Sequence, residues 1–560
     1  MTKFHRIRFW SCLSLFLAIQ LLPSSALAKT QVPIKFLSAK EFSFLDAAVA
    51  DKETERYRDE EKNKENLVNE TSDERTQYLC PNDLDTAIEA IINRPQFKRS
   101  RWGILIQTLN SGNTLYSLAA DSYFTPASNT KLLTTAAILL KLGGDFRIRT
   151  PVYVTGEPPN LTSLRLKGQG DPTISTERLK NIVHLLRDRE VESIEKLIVD
   201  NSYFAQPAIN ATWEWFDVYQ DYATSVSSLI LNENTVSLTL LPQRLGQPVK
   251  LRWSDPIAAR QWQVENQTVT APAGTDYGIE IEGLLGRSLL QIRGELAIDA
   301  EPDIWNLAVA DPAHYFLESL RHVLLTEGIQ VTRGVVEQQI KTTGLEKELT
   351  TLLSPPLSVL LQEINQKSNN LYAEVLVQIL GKELDIDTAL EGVVQSLTKL
   401  GVEPQNYVLV DGSGLSRHNL IAPQALVQTL RLMSQTPVAE IYRSSLAVAG
   451  NNGTLKRRFQ NTVIQGNFQG KTGTLSGVST LSGYLNVPNY QPLVFSIIVN
   501  NSQQSNSTLN QAIDEIVLLL GRLKQCSREL LTSDIDFVFS MASYKRRTLN
   551  YHLLEDLLTS

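Results

Sequence analysis

The sequence predicts an α+β fold of several domains, and three observations predict it. A helix, a hairpin and a second, apolar helix open the foldable chain between residues 83 and 140. Strand–turn–strand signals and a closing amphipathic helix end it between 466 and 523. Between them, from about 149 to 355, the texture changes to short strands broken by turns, as expected of inserted material. With 560 residues, 42% hydrophobic and 20% charged, the chain can bury several cores.

Taken in order, residues 83–93 place Leu84, Ala87, Ile88, Ile91 and Ile92 on one helical face, with Pro95 as a stop. Trp102, Ile104 and Ile106 alternate along a strand at 101–108, and Asn110-Ser111-Gly112-Asn113 turns it into a second at 114–118. Thr125 is read as the N-cap of the next helix and Pro126 as its first residue. That helix is apolar nearly all round, so it should be central and buried.

In the interval, strands are expected at 151–155, 163–167 and 196–200, with a helix at 176–189. Gly168-Gln169-Gly170 lacks a third glycine and does not open a helix, which makes it a poor phosphate loop. Strands and turns dominate 236–298, suggesting a small β module nested inside. A helix at 312–326 with Asp311 as N-cap and a strand at 329–337 lead back. After Pro355-Pro356 the chain is helical, then a short strand at 407–410 precedes the turn Asp411-Gly412-Ser413-Gly414. Strands follow at 466–474, around Leu481, Leu485 and Val487, and at 493–500, then a helix at 509–523.

The ends differ from the rest. Lys3, Arg6 and Arg8 precede an apolar run from Phe9 to Leu22, and Ala26-Leu27-Ala28 gives a cleavage signal, so residues 1–28 read as a secretory leader. Residues 29–79 read as a charged tether with too little apolar surface to offset its ordering entropy. Residues 527–560 carry mixed signals and are assigned no element. The implied layout is one discontinuous domain at 80–148 and 355–526, an inserted domain at 149–235 and 300–354, and the β module at 236–299. No stretch after the leader is long and apolar enough to span a bilayer.

The formal charge is −7, and removing three cations with a leader that holds no acids leaves −10. An acidic, exported chain is a poor nucleic-acid binder. Metal chemistry is not expected, since His-x-x-x-His pairs with glutamate and paired Cys-x-x-Cys motifs are both missing from the sequence. Cys80 and Cys526 flank nearly all the foldable sequence; in an oxidising compartment they could pair or remain two thiols.

Three short motifs carry chemistry. Ser128 and Lys131 stand three apart, one turn of helix, in a run where burial would push the lysine toward neutrality. A neutral amine beside a hydroxyl is a base beside a nucleophile. Ser368 and Asn370 stand two apart, which on a straight helix would point them apart, so they are expected at a helix junction. Lys471-Thr472-Gly473 sits on a strand edge, where a cation and a hydroxyl could meet a terminal carboxylate. Each motif is common alone; the three in this order form the set of penicillin-recognising serine enzymes.

The sequence resembles penicillin-binding proteins, and more closely the class C low-molecular-mass D-alanyl-D-alanine carboxypeptidase/endopeptidases. The resemblance rests on the three motifs, on Ser368 to Glu374, Asp411 to Arg417, Gly450 to Phe459 and Lys471 to Leu475, and on the long interval where that family carries inserted domains. It covers roughly 80–525 and implies a serine β-lactamase/transpeptidase-like domain, an antiparallel sheet flanked by helices. It implies Ser128 as nucleophile, Lys131 as base, Ser368 as proton relay, and Asn370 holding Lys131 and the substrate amide. Lys471, Thr472 and Gly473 would take the terminal carboxylate and substrate backbone, and the Ser128 and Thr474 amides would form the oxyanion hole. Arg417 and Asp217 would line a pocket for an amine-bearing side chain; Ser476 stands where that family would place a glutamine. In that fold the opening and closing helices are neighbours, which implies a Cys80–Cys526 bridge. The implied partners are peptidoglycan peptides and β-lactams, with no cofactor. A β-lactamase-like hydrolase or a non-catalytic cell-wall scaffold are the alternatives.

Overall fold

The computed structural model describes residues 78–204, 209–284, 286–339, 344–386 and 388–526. The leader, nearly all of the tether and the 527–560 tail lie outside the described residues. A helix at Leu84–Ile92 opens the fold, followed by the hairpin β1 (Arg101–Thr108) and β2 (Thr114–Leu118) and a helix at Thr130–Leu142. Gly112 takes φ +72° in the hairpin turn, and Thr108 Oγ1 accepts the Asn113 N–H at 2.9 Å, so glycine and hydroxyl together set the turn.

The interval holds β3 (Arg149–Glu157), β4 (Asn160–Lys167), a helix at Thr176–Arg187 and β5 (Ser193–Asp200). Next come β6 (Thr235–Leu241), β7 (Lys250–Trp253), β8 (Gln263–Ala271), β9 (Glu280–Gly283), β10 (Leu289–Ala297) and β11 (Asp303–Ala308). A helix at Pro312–Thr326, β12 (Gln330–Glu337) and β13 (Lys347–Leu353) complete it. Asp311 caps that helix as expected, its side chain accepting the His314 N–H at 3.0 Å. The first and last groups form one mixed sheet in the order β12-β5-β4-β3-β13, and the middle group forms two three-stranded sheets, β11-β6-β7 and β8-β10-β9. A single apolar cluster runs through all of them, from Val152 to Leu349. β13 was not legible as a strand, because Lys347–Leu353 shows no clean alternation of apolar and polar residues.

The chain then forms helices at Leu357–Gln366, Asn370–Leu384 and Ala389–Leu400, the short pair β14 (Tyr407–Val408) and β15 (Leu420–Ile421), and helices at Pro423–Met433 and Ala439–Ser444. It ends with β16 (Ala447–Val448), β17 (Phe468–Leu475), β18 (Val478–Leu485), β19 (Leu493–Asn500) and a helix at Asn506–Gly521. Strands from both ends of the sequence build one antiparallel sheet, β16-β17-β18-β19-β1-β2, with Arg101 opposite Asn500 and Thr108 opposite Leu493. Alternation decides which residue goes where. Ile104 and Ile106 join the cluster under the first and last helices, whereas Leu105 joins the one around the helix Thr130–Leu142. Because helices cover both faces, every residue of β18 and β19 is buried, not only the face that Leu481 and Leu485 share.

Cys80 and Cys526 form a disulfide with Cα atoms 5.7 Å apart, which settles the alternative the sequence left open. Beside it Leu79 bridges Leu523, its N–H donating to the Arg522 carbonyl at 2.9 Å.

Candidate active site

Four segments converge at one point on the central sheet: the turn before the helix Thr130–Leu142, the junction before the helix Asn370–Leu384, the loop 411–417, and β17. The first departs from its expected form. Thr125 does not cap the helix; its N–H donates to Asn500 Oδ1 at 2.7 Å and its carbonyl accepts from Asn500 Nδ2. Ala127–Asn129 instead forms a 3₁₀ turn, and the α-helix begins at Thr130. Ala127 takes φ +47°, a left-handed conformation unfavourable for alanine that the surroundings impose. Thr130 Oγ1 donates to the Ala127 carbonyl at 2.9 Å, and a Cβ on Gly414 would stand 1.9 Å from that same oxygen. Glycine at 414 is therefore what allows the loop to press on the serine turn.

Lys131 is fully buried. Its Nζ donates to Ser128 Oγ at 2.9 Å, Asn370 Oδ1 at 2.5 Å and the Ser413 carbonyl at 2.6 Å. Burial pulls this ammonium down to about 7, against the opposing pull of Asp411 and Glu374. Ser368 takes φ +63° between the helices ending at Gln366 and starting at Asn370, the junction that its spacing from Asn370 required. Its Oγ donates to Ser128 Oγ at 3.0 Å. Asn370 turns its other amide atom outward, Nδ2 donating to the Tyr222 carbonyl of the insert at 2.8 Å.

Lys471 is also fully buried, and its Nζ donates to Ser368 Oγ and to the Thr472 carbonyl, both at 2.8 Å. Burial and, second, the neighbouring Lys131 charge hold it well below the usual lysine range. Thr472 is half-buried, with Oγ1 on Thr454 Oγ1 at 2.8 Å. Gly473 has a packing reason of its own. A Cβ there would lie 2.3 Å from Thr480 Oγ1, 2.9 Å from the Ser128 nitrogen and 3.0 Å from Ala127 Cβ, so the serine turn seats directly against β17. The backbone nitrogen of Ser128 therefore lies beside Gly473.

The loop 411–417 is held by two carboxylates that were not assigned a role from the sequence. Asp411 accepts from the Gly414 N–H at 2.7 Å, the Ser416 N–H at 2.6 Å, Asn419 Nδ2 at 2.7 Å and the indole N–H of Trp213 at 3.0 Å. Glu374, on the helix that Asn370 opens, accepts from the N–H groups of Gly412 at 3.0 Å and Ser413 at 2.7 Å. Burial first, and the Asp411 charge second, raise the Glu374 carboxyl. The sequence signal was present: Glu374 lies four residues after Asn370, one turn along the same helix face.

Arg417 and Asp217 are placed less directly. Arg417 pairs with Glu214 at 3.2 Å and donates to the Ser476 carbonyl at 3.0 Å. Asp217 is buried and accepts from the Tyr222 hydroxyl at 2.8 Å, on the residue whose carbonyl holds Asn370. Trp213, Ala223 and Leu415, with Leu475 against them, form a small apolar cluster between the insert and β17. Among the described residues no cluster of metal ligands occurs.

This fold and this arrangement of serine, lysines and amide define the β-lactamase/transpeptidase-like class. The chain belongs to the D-Ala-D-Ala carboxypeptidase 3 (S13) family, whose pattern matches residues 84–523. It is 32% identical over 443 residues to a D-alanyl-D-alanine carboxypeptidase of an Actinomadura species, covering 75% of this chain and 81% of that one. It is 30% identical over 483 residues to a penicillin-sensitive carboxypeptidase A of Dictyostelium discoideum, covering 79% and 92%. The fold is that of penicillin-binding protein 4 from Haemophilus influenzae, with a TM-score of 0.70, 22% identity, and coverage of 78% and 99%.

Proposed function

We propose that Ser128 is the nucleophile of a serine acyl transfer on D-Ala-D-Ala peptide termini, with Lys131 as its base. The observation that carries this is the fully buried Lys131 Nζ, 2.9 Å from Ser128 Oγ. Its neutral form takes the hydroxyl proton as Oγ bonds to the penultimate D-Ala carbonyl carbon. The oxygen that becomes negative faces the Ser128 and Thr474 N–H groups, each such donor lowering the barrier by about 3 kcal/mol. When the C–N bond breaks, the Ser368 hydroxyl donates to the departing amine and is re-protonated through Lys131. Water then attacks the ester, its proton returning along the same path, and frees Ser128. Asn370 fixes Lys131, Lys471 fixes Ser368, and Thr472 with Lys471 meets the terminal carboxylate. A β-lactam enters the same path and stays as the acyl ester.

The same site serves cross-linked peptides, because the acyl-enzyme is identical and only the leaving amine differs. Asp217 and Arg417 form the walls for an amine-bearing side chain. The leader read in the sequence at 1–28 supports export, with the periplasm or cell envelope as the proposed destination. The test is labelled penicillin on the mature protein and on Ser128→Ala. Label on Ser128 by peptide mapping, lost in Ser128→Ala with the melting temperature unchanged, supports the assignment; label at another serine overturns it.

A further inference from the structure

Two carboxylates divide the loop 411–417 between them. Glu374 holds the Gly412 and Ser413 N–H groups, the half whose Ser413 carbonyl meets Lys131. Asp411 holds the Gly414 and Ser416 N–H groups, the half that leads into Arg417. Asp411 also reaches the insert, its Oδ2 accepting from Trp213 Nε1 at 3.0 Å. Both partners are buried, Asp411 at 1% and Trp213 at 8% exposure, and Trp213 shares an apolar cluster with Ala223 and Leu415. A bond from an N–H to a carboxylate is strong where water does not reach it.

Two further bonds seat the same stretch of the insert. Asn210 Nδ2 donates to the Val410 carbonyl at 2.8 Å, and Thr212 Oγ1 is hydrogen-bonded to Ser416 Oγ at 2.7 Å. Beyond Trp213 the chain runs through closed turns. The Glu214 carbonyl accepts the Asp217 N–H at 3.0 Å, and the Asp217 carbonyl accepts the Gln220 N–H at 2.8 Å. Such turns leave little slack between Trp213 and Asp217. The remaining link, Arg417 with Glu214 at 3.2 Å, joins side chains 32% and 39% exposed, and ion pairs so open to solvent contribute little.

We infer that Trp213 is a positioning residue for the side-chain pocket, holding Asp217 of the insert in register with Arg417 of the loop through Asp411. The inference rests on the reading of Asp217 and Arg417 as the walls for an amine-bearing side chain. Asp411 is the common anchor. It fixes the backbone at Ser416, the residue before Arg417, and through the indole it fixes the segment four residues before Asp217. The base is held separately, by Glu374 through Ser413. Loosening Trp213 is therefore read in the choice between substrates.

The test measures kcat/KM on the mature protein for two tripeptides, α-N-acetyl-L-Lys-D-Ala-D-Ala with its ε-amine either free or acetylated. The wild type should prefer the free amine. Trp213→Phe keeps an aromatic ring in the cluster but removes the N–H. It should lower the ratio of the two kcat/KM values by about tenfold, as expected for the loss of a bond to a charged group. Thr212→Val removes the bond to Ser416 at a half-buried position and should lower the same ratio by about threefold, as expected for a neutral bond. Stoichiometric penicillin labelling of both variants shows that the site is still assembled. An unchanged ratio in both, whether or not the melting temperature falls, would overturn the inference and leave Trp213 as packing alone. A wild type that treats the two peptides equally would instead strike the pocket reading, and the inference with it.

Discussion

Glu374 and Lys131 are joined through one peptide unit. The carboxylate accepts the Ser413 N–H at 2.7 Å, and the Ser413 carbonyl accepts from Lys131 Nζ at 2.6 Å. A buried acid thereby fixes the orientation of a carbonyl that in turn fixes the base. Glu374→Gln keeps an acceptor for both N–H groups but removes a group that favours the Lys131 ammonium whenever it is ionised. The kcat/KM–pH profile should then lose the part of its rise that follows Glu374 ionisation, with the melting temperature little changed. Glu374→Ala leaves the Gly412 and Ser413 N–H groups without a partner, at about 1–3 kcal/mol each, and should lower both stability and rate. A Gln variant with an unshifted profile would show that Glu374 only supports the loop.

The base predicts a pH dependence of its own. Acylation requires neutral Lys131, so the rate of penicillin acylation should rise through about pH 7. For stability, the folded pKa lies below the ordinary 10.5, so between about 7 and 10.5 the unfolded chain binds more protons at this group. Its contribution therefore rises with pH across that window, by up to about 1.4 kcal/mol per unit. Glu374, raised in the fold, works the other way at lower pH, losing its contribution as pH rises toward about 8. Lys131→Met should remove the rising limb in denaturant titrations; a wild-type acylation rate flat from pH 6 to 9 would contradict the lysine as base.

What the sequence made legible was whatever local spacing controls. The Ser368/Asn370 junction followed from two residues that cannot share a helix face, and the Asp311 cap from one side chain before a proline. The start of the serine helix was misplaced because Ala127 packs against Gly414, a partner that no local window contains, while Thr130 holds the same carbonyl. The reason for Gly473 was hidden for the same cause. Two of its three neighbours, Ala127 and Ser128, lie more than three hundred residues earlier in the chain. Asp411 and Glu374 read as ordinary charges until the fold turned both onto backbone amides.

The disulfide closes a sequence separation of 446 residues and ties the strand-like segment at Leu79 to the end of the last helix. It lies beside Leu79 and Leu523, which belong to the apolar cluster of the opening and closing helices. Cys80→Ser/Cys526→Ser should lose about 2–5 kcal/mol of stability while penicillin acylation per folded molecule stays at the wild-type rate. Thermal melts with and without reductant check the first part, and stoichiometric labelling below the lowered melting point checks the second. An unchanged melting temperature would mean that the helix packing alone holds the ends together.

Lys471 separates two tasks by size. A lysine that only supplied positive charge to a terminal carboxylate would tolerate arginine, since either cation can contact a carboxylate. Here the side chain is fully buried and its ammonium is a point donor to Ser368 Oγ at 2.8 Å. A planar guanidinium has no room in that slot without displacing Ser368, and overpacking of this kind costs about 1–3 kcal/mol. Lys471→Arg should therefore lose carboxypeptidase activity by about two orders of magnitude or more, close to Lys471→Ala. The ratio of tripeptide hydrolysis to penicillin acylation should stay the same in both variants, because both reactions pass their leaving-group proton through Ser368. Substantial activity in Lys471→Arg, with Lys471→Ala inactive, would reassign this residue to carboxylate recognition alone.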